Sequence, residues 1–166
     1  MLLKLVAIAQ EPWTFQRLAA ELSISPSETH AGVQRATAAR LLAPDGSGDV
    51  LPVLPALLEF LVHGVKYAYP PERGMLARGV PTGYAAAPLN TVITGSTDPP
   101  PVWPFAEGSV RGYALTPLYR TVPVAALRDA RLYELLALVD AIRDGRARER
   151  SLAVEMLEAR LGAVPA

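Results

Sequence analysis

The chain has 166 residues, of which 51% are apolar, and its 16 basic side chains balance 16 acidic ones. That is enough apolar material for a packed core, which excludes wholesale disorder. The balanced charge supplies no general attraction to nucleic acid or to an anionic membrane. With no cysteine, disulfides, thiolate zinc sites, iron–sulfur clusters and a cysteine nucleophile are excluded, and a reducing cytoplasm fits.

Residues 1–9 are apolar but interrupted by Lys4, and Glu11 and Pro12 follow soon after. The run is too short for a membrane span, which needs about 20 apolar residues, or for a secretory signal. A cytoplasmic protein without a membrane partner is expected. Leu2, Leu3, Leu5, Val6 and Ile8 suit a short helix ending near Gln10. Thr14 is placed to cap a second helix, in which Phe15, Leu18, Ala19 and Leu22 recur at helical spacing, and Ser23-Ile24 makes a tight turn.

The sharpest local signal comes next. Ser25-Pro26-Ser27-Glu28 is a capping box, with serine at the cap, proline at the first helical position and glutamate three residues after the serine. It predicts a helix from Pro26 to about Leu42, the third in 42 residues, which is helix-turn-helix spacing. The turn signal Pro44-Asp45-Gly46-Ser47-Gly48-Asp49, flanked by Leu41-Leu42 and Val50-Leu51, predicts two short strands forming a β-wing.

A helix is expected over Leu54–His63 with Gly64 as its C-terminal cap, then an edge strand in which Val65, Tyr67 and Tyr69 alternate before Pro70-Pro71. Residues 71–123 are rich in proline and glycine yet hold Tyr84, Trp103, Tyr113 and Tyr119. Disordered linkers are poor in aromatics, so an ordered, irregular layer over the helices is expected. Leu132, Leu135, Leu136, Val139 and Ile142 stripe a helix from about Arg128 to Arg143, and a second follows from Arg146 to Leu161. The expected fold is therefore α+β and mostly helical. A winged helix-turn-helix domain occupies residues 1–64, and a loop-rich companion region, 65–166, ends in a helical hairpin.

In a helix-turn-helix the second helix of the motif enters the major groove and reads base edges near its N-terminus. With Ser25 as cap, the exposed positions are Ser27, His30, Ala31, Gln34 and Arg35. Glutamine pairs with adenine and arginine with guanine in bidentate fashion. Thr14, Ser25 and the helix N-terminal amides suit phosphates. The stretch Leu3–Leu51, with W-T-F-Q-R-L-A-A-E-L-S-I-S-P-S-E-T-H and the Asp45-Gly46 turn, resembles a bacterial winged helix-turn-helix of the MarR-like kind over about the first third of the chain. The resemblance implies a regulator that binds double-stranded DNA, as a homodimer. Two features depart from that pattern. Residues 1–50 carry four cations against five anions, and the wing has no arginine or lysine for a minor groove.

Winged helices also serve as protein-interaction modules. Antitoxins that repress their own promoter through a winged helix and hold a toxin, encoded nearby, through a second region resemble this layout. Arg143, Arg146, Arg148 and Arg150 form a candidate anion or partner patch, and Arg73, Arg78, Trp103 and Tyr113 a candidate effector or partner pocket. The leucine stripe of the last two helices is the candidate surface for self-association. The sequence contains no nucleophile elbow, P-loop, zincin or dinucleotide-binding motif, and its two histidines, His30 and His63, cannot build a His-rich metal site. Neither an enzyme nor a cofactor is expected.

Overall fold

A computed structural model of the protein describes residues 1–9, 11–45, 49–94 and 98–162. The end of the first predicted helix at residue 10, and the wing tip at 46–48, lie outside them. The fold is α+β and mostly helical.

Helix α1 (Leu2–Ile8) buries every side chain from Leu3 to Ile8, including Lys4. Helix α2 (Phe15–Leu22) opens at Thr14, whose Oγ1 accepts the Arg17 N–H at 3.1 Å, and ends where Ser23 takes φ 54°. Helix α3 (Pro26–Ala38) opens at Ser25, whose Oγ accepts the Glu28 N–H at 3.1 Å, which is the serine half of the predicted capping box. The Glu28 carboxylate accepts a hydrogen bond from the Tyr119 hydroxyl. α3 stops short of the expected Leu42 because Arg40 adopts φ 58°, in the left-handed region that breaks a helix. No glycine marks that stop. Leu42 instead opens strand β1 (Leu42–Pro44), which pairs antiparallel with β2 (Val50–Pro52) in the register Leu42↔Pro52.

The next helix corrects two expectations. α4 (Leu54–Glu59) does not end at Gly64 but runs through a π-helical turn, Phe60–Gly64, into α5 (Val65–Ala68). Gly64 serves packing here: a Cβ on it would lie 2.9 Å from Phe60 Cδ2, so its bareness lets the ring lie against the backbone. Val65, Tyr67 and Tyr69 therefore alternate without forming a strand. Val65 is buried on the inner side of the helical turn, while both tyrosines are exposed.

The proline-rich middle is ordered, with β3 (Arg73–Pro81), β4 (Pro101–Pro104) and β5 (Val110–Leu115) closing into a three-stranded barrel. β3 pairs antiparallel with both others, and β4 runs parallel to β5. So few strands close only if their backbones nearly touch. A Cβ on Gly79 would fall 2.1 Å from the Trp103 carbonyl oxygen, and one on Gly112 only 1.9 Å from that of Pro100.

Helix α6 (Val122–Arg128), unforeseen from the sequence, leads into α7 (Ala130–Asp144) and α8 (Ala147–Gly162). From Leu135 to Arg143 every residue of α7 is buried, so this helix is enclosed rather than striped. α8 lays Ala153, Leu157 and Leu161 against the core. One apolar cluster runs from Leu3 in α1 through Leu57 and Trp103 to Leu161.

Two polar anchors hold α7. Its first turn is capped by Asp129, which accepts the Leu132 N–H at 3.1 Å and the Lys4 Nζ at 2.6 Å. In its buried middle, Asp140 accepts from Thr82 Oγ1 at 2.8 Å, Trp103 Nε1 at 2.6 Å and the Arg143 guanidinium at 2.6 Å. Arg143 spends its remaining donors on the carbonyls of Tyr69, Pro70 and Thr116, tying the end of α5 and the end of β5 to the same helix.

Candidate nucleic-acid interface

The orientation of α3 follows from its inner residues. Thr29, Val33 and Ala36 are buried. At about 3.6 residues per turn, this sets Ser27, Ala31, Gln34 and Ala38 along the outer ridge, His30 on the α2 side and Arg35 on the α4 side. Thr14, Ser25, Ser27, His30, Gln34 and Arg35 are all exposed. Phe15 joins the two helices, its ring centroid 5.4 Å from Trp13 and 5.3 Å from His30, so the start of α2 lies beside the face of α3. Thr14 and Ser25 each accept a backbone N–H of their own helix, leaving each hydroxyl its proton to donate.

The charges of this segment are largely tied up. Arg17 is held by Glu21 at 2.7 Å and Glu11 at 2.8 Å, and it donates to the Pro12 carbonyl at 2.9 Å. Lys4 lies inside, 2.6 Å from both Glu21 and Asp129. The hydrogen bonds from Lys4 and Arg17 hold the Glu21 carboxyl below the usual range. Among the described residues of this segment, Arg35 and Arg40 remain as cations without an ion pair. The described part of the β1–β2 hairpin carries Asp45 and Asp49 and no cation.

On its other flank α3 walls a groove of about 930 Å3. Gly32, Arg35, Ala36 and Ala39 face Phe60, His63 and Gly64 of the π-helical turn across it, over an apolar floor that includes Leu57, Leu61, Leu132 and Leu136. No local pattern in the sequence announces this groove, because its lining comes from segments far apart in the chain. The one local trace is Gly64, which reads as a helix cap and in fact accommodates Phe60.

The other candidate sites are rearranged. Arg143 does not belong to a surface patch: its side chain is 1% exposed, because it compensates Asp140 inside the protein. Arg146 reaches Asp98 at 2.6 Å, Arg150 donates to the Gly145 carbonyl at 3.1 Å, and Arg148 is exposed. The expected pocket of Arg73, Arg78, Trp103 and Tyr113 is not assembled. Trp103 is 1% exposed with its Nε1 on Asp140, Arg73 stacks over the Tyr113 ring at 4.8 Å and pairs with Asp144 at 2.8 Å, and Arg78 projects into solvent. None of the four lines the groove. The leucine stripe of α7, the candidate self-association surface, is buried within the chain.

Comparison with protein-family models, curated proteins and solved structures finds no match to this chain. Among the described residues no cluster of side chains suits a metal ion, and no helix is long and apolar enough to cross a membrane.

Proposed function

We propose that the protein is a regulator that binds duplex DNA, with α1–α3 and the β1–β2 hairpin acting as a winged helix-turn-helix and α3 as the reading helix. The observation that carries this reading is the outward polar flank of α3. Ser27, His30, Gln34 and Arg35 are exposed beside two capped helix N-termini, while Thr29, Val33 and Ala36 anchor the helix from beneath. Gln34 offers an amide for adenine and Arg35 a fork for guanine. With Arg17 and Lys4 neutralised internally, one module meets few phosphates. A homodimer doubles those contacts and sets a half-site spacing. Since α7 is enclosed, such a dimer uses another surface.

The test is retention of DNA from upstream of the protein's own gene at low salt. Gln34→Ala and Arg35→Ala are each expected to cost about 1–3 kcal/mol of preference for the cognate site. Equal affinity of wild type and both variants for cognate and scrambled duplex would sink the assignment.

The same neutralisation favours a second reading, a protein-interaction module such as an autoregulating antitoxin, since Arg17 held by two carboxylates is poorly placed to meet a phosphate. Co-expression with the product of the neighbouring gene separates the readings. A stable complex formed by a chain that retains no DNA supports the second alone.

A further inference from the structure

We propose that the open edge of β3, from Arg73 to Ala77, is a docking strand for an extended acidic segment of a protein partner. This inference is independent of whether α3 reads DNA.

Strand pairing shows where the edge lies. β5 takes one side of β3 at Arg73 and again from Leu76 to Gly79, with a bulge at Gly74–Met75 between them, whereas β4 covers the opposite side only from Gly79 to Pro81. The last backbone contact on that side is Phe105 N–H donating to the Arg78 carbonyl at 3.1 Å. Two residues back, alternation along the strand turns the N–H and C=O of Leu76 to the same side, where no strand of the described residues meets them. An edge of this kind is a template for another strand, and proteins usually shorten it, cover it or place charge on it. Here its centre is apolar and open: Met75 is 89% exposed and Leu76 52%.

Charge selects the occupant. The three barrel strands carry Arg73, Arg78 and Arg111 and no carboxylate. Arg73 is matched by Asp144, but Arg78 and Arg111 stand directly opposite each other on β3 and β5, with no ion pair among the described residues. Like charges facing across a ladder repel, and a carboxylate on a strand docked beside β3 meets Arg78 from the other side and lessens that repulsion. A second copy of this strand is the wrong partner: antiparallel pairing centred on Met75 and Leu76 would set Arg73 against Arg78 of the other copy. An acidic strand with apolar residues at alternate positions instead sets its carboxylates on the face that carries Leu76 and Arg78, and its apolar side chains on the face of Met75.

The test uses the full chain and a fluorescein-labelled peptide of alternating glutamate and valine, about eight residues long, with a lysine–valine peptide as control. Fluorescence anisotropy is expected to show saturable binding of the acidic peptide only. Arg78→Glu combined with Arg111→Glu should weaken it about tenfold or more. Leu76→Pro, which removes the outward N–H, should abolish it while circular dichroism stays unchanged; should that variant misfold, Met75→Lys serves as the second edge variant and should also weaken binding. Gln34→Ala should leave it untouched. Equal binding of both peptides, no binding of either, or insensitivity to the arginine reversals overturns the proposal. So does a dimer of the full chain that Leu76→Pro converts to monomer, for then a second copy covers the edge.

Discussion

Asp140 and Lys4 show how single charged side chains organise an apolar interior. Burial pushes the Asp140 carboxyl above its usual range, while Arg143, Thr82 and Trp103 draw it back. Removing the carboxylate leaves a guanidinium without a counter-charge at a site 1% exposed. Asp140→Asn is therefore expected to cost about 3–5 kcal/mol in urea unfolding, and the paired change Asp140→Leu with Arg143→Met clearly less. If the double variant loses as much as the two singles together, the pair is not coupled. Lys4 makes stability depend on pH at both ends of the range. Burial works against its charge, yet Asp129 and Glu21 raise its pKa overall, and it in turn helps to lower both of theirs. The carboxylates contribute stability above their unfolded values of about 4, and this is lost as pH falls through the lower folded values. Lys4 contributes below its unfolded value of about 10.4, and this is lost as pH rises through the higher folded one. Lys4→Met should cost about 2 kcal/mol at neutral pH and flatten both limbs of the stability curve, as measured by thermal unfolding from pH 3 to 11.

Among the elements, those set by local chemistry were legible and those set by contact were not. The capping serine, proline and glutamate at 25–28 announced the start of α3, and the proline–aspartate turn announced β1 and β2. Ser25→Ala should destabilise by about 1 kcal/mol, which chemical denaturation can resolve. The end of α3 is not legible, because Arg40 adopts a left-handed conformation that nothing in its residue type advertises. The helix through Gly64 misleads for the opposite reason, since its glycine is present for the Phe60 ring and not for a turn. Arg143 reads as one of a run of arginines at the junction of the last two helices; its counter-ion three residues earlier is the clue that separates it from Arg146, Arg148 and Arg150. The barrel could not be read at all, since its closure depends on the distant partners of Gly79 and Gly112. Gly79→Ala should cost about 3 kcal/mol, because its new methyl meets a carbonyl rather than a flexible side chain. Unchanged stability would mean that β3 and β4 part more readily than their register implies.

At the scale of the whole molecule, the exposed flank of α3 and the helix it belongs to depend on residues a hundred positions away. α1 packs on α7, Thr121 donates to the Leu22 carbonyl at 2.7 Å, Arg128 reaches Ser23 at 3.0 Å, and Tyr119 holds Glu28 at the start of α3. A fragment ending at residue 64 would present the apolar side chains of α1 to water. Its circular dichroism is expected to show little cooperative melting, whereas the full chain should unfold in a single step.

The enclosure of α7 also has a bearing on synthesis. A chain leaving the ribosome makes α1 more than a hundred residues before its helical partner α7, so α1 waits with its apolar side unsatisfied. Until α7 arrives, that apolar side is open to misassociation. The delay also makes the yield of correctly folded protein sensitive to translation speed in the stretch between the barrel and the central helix.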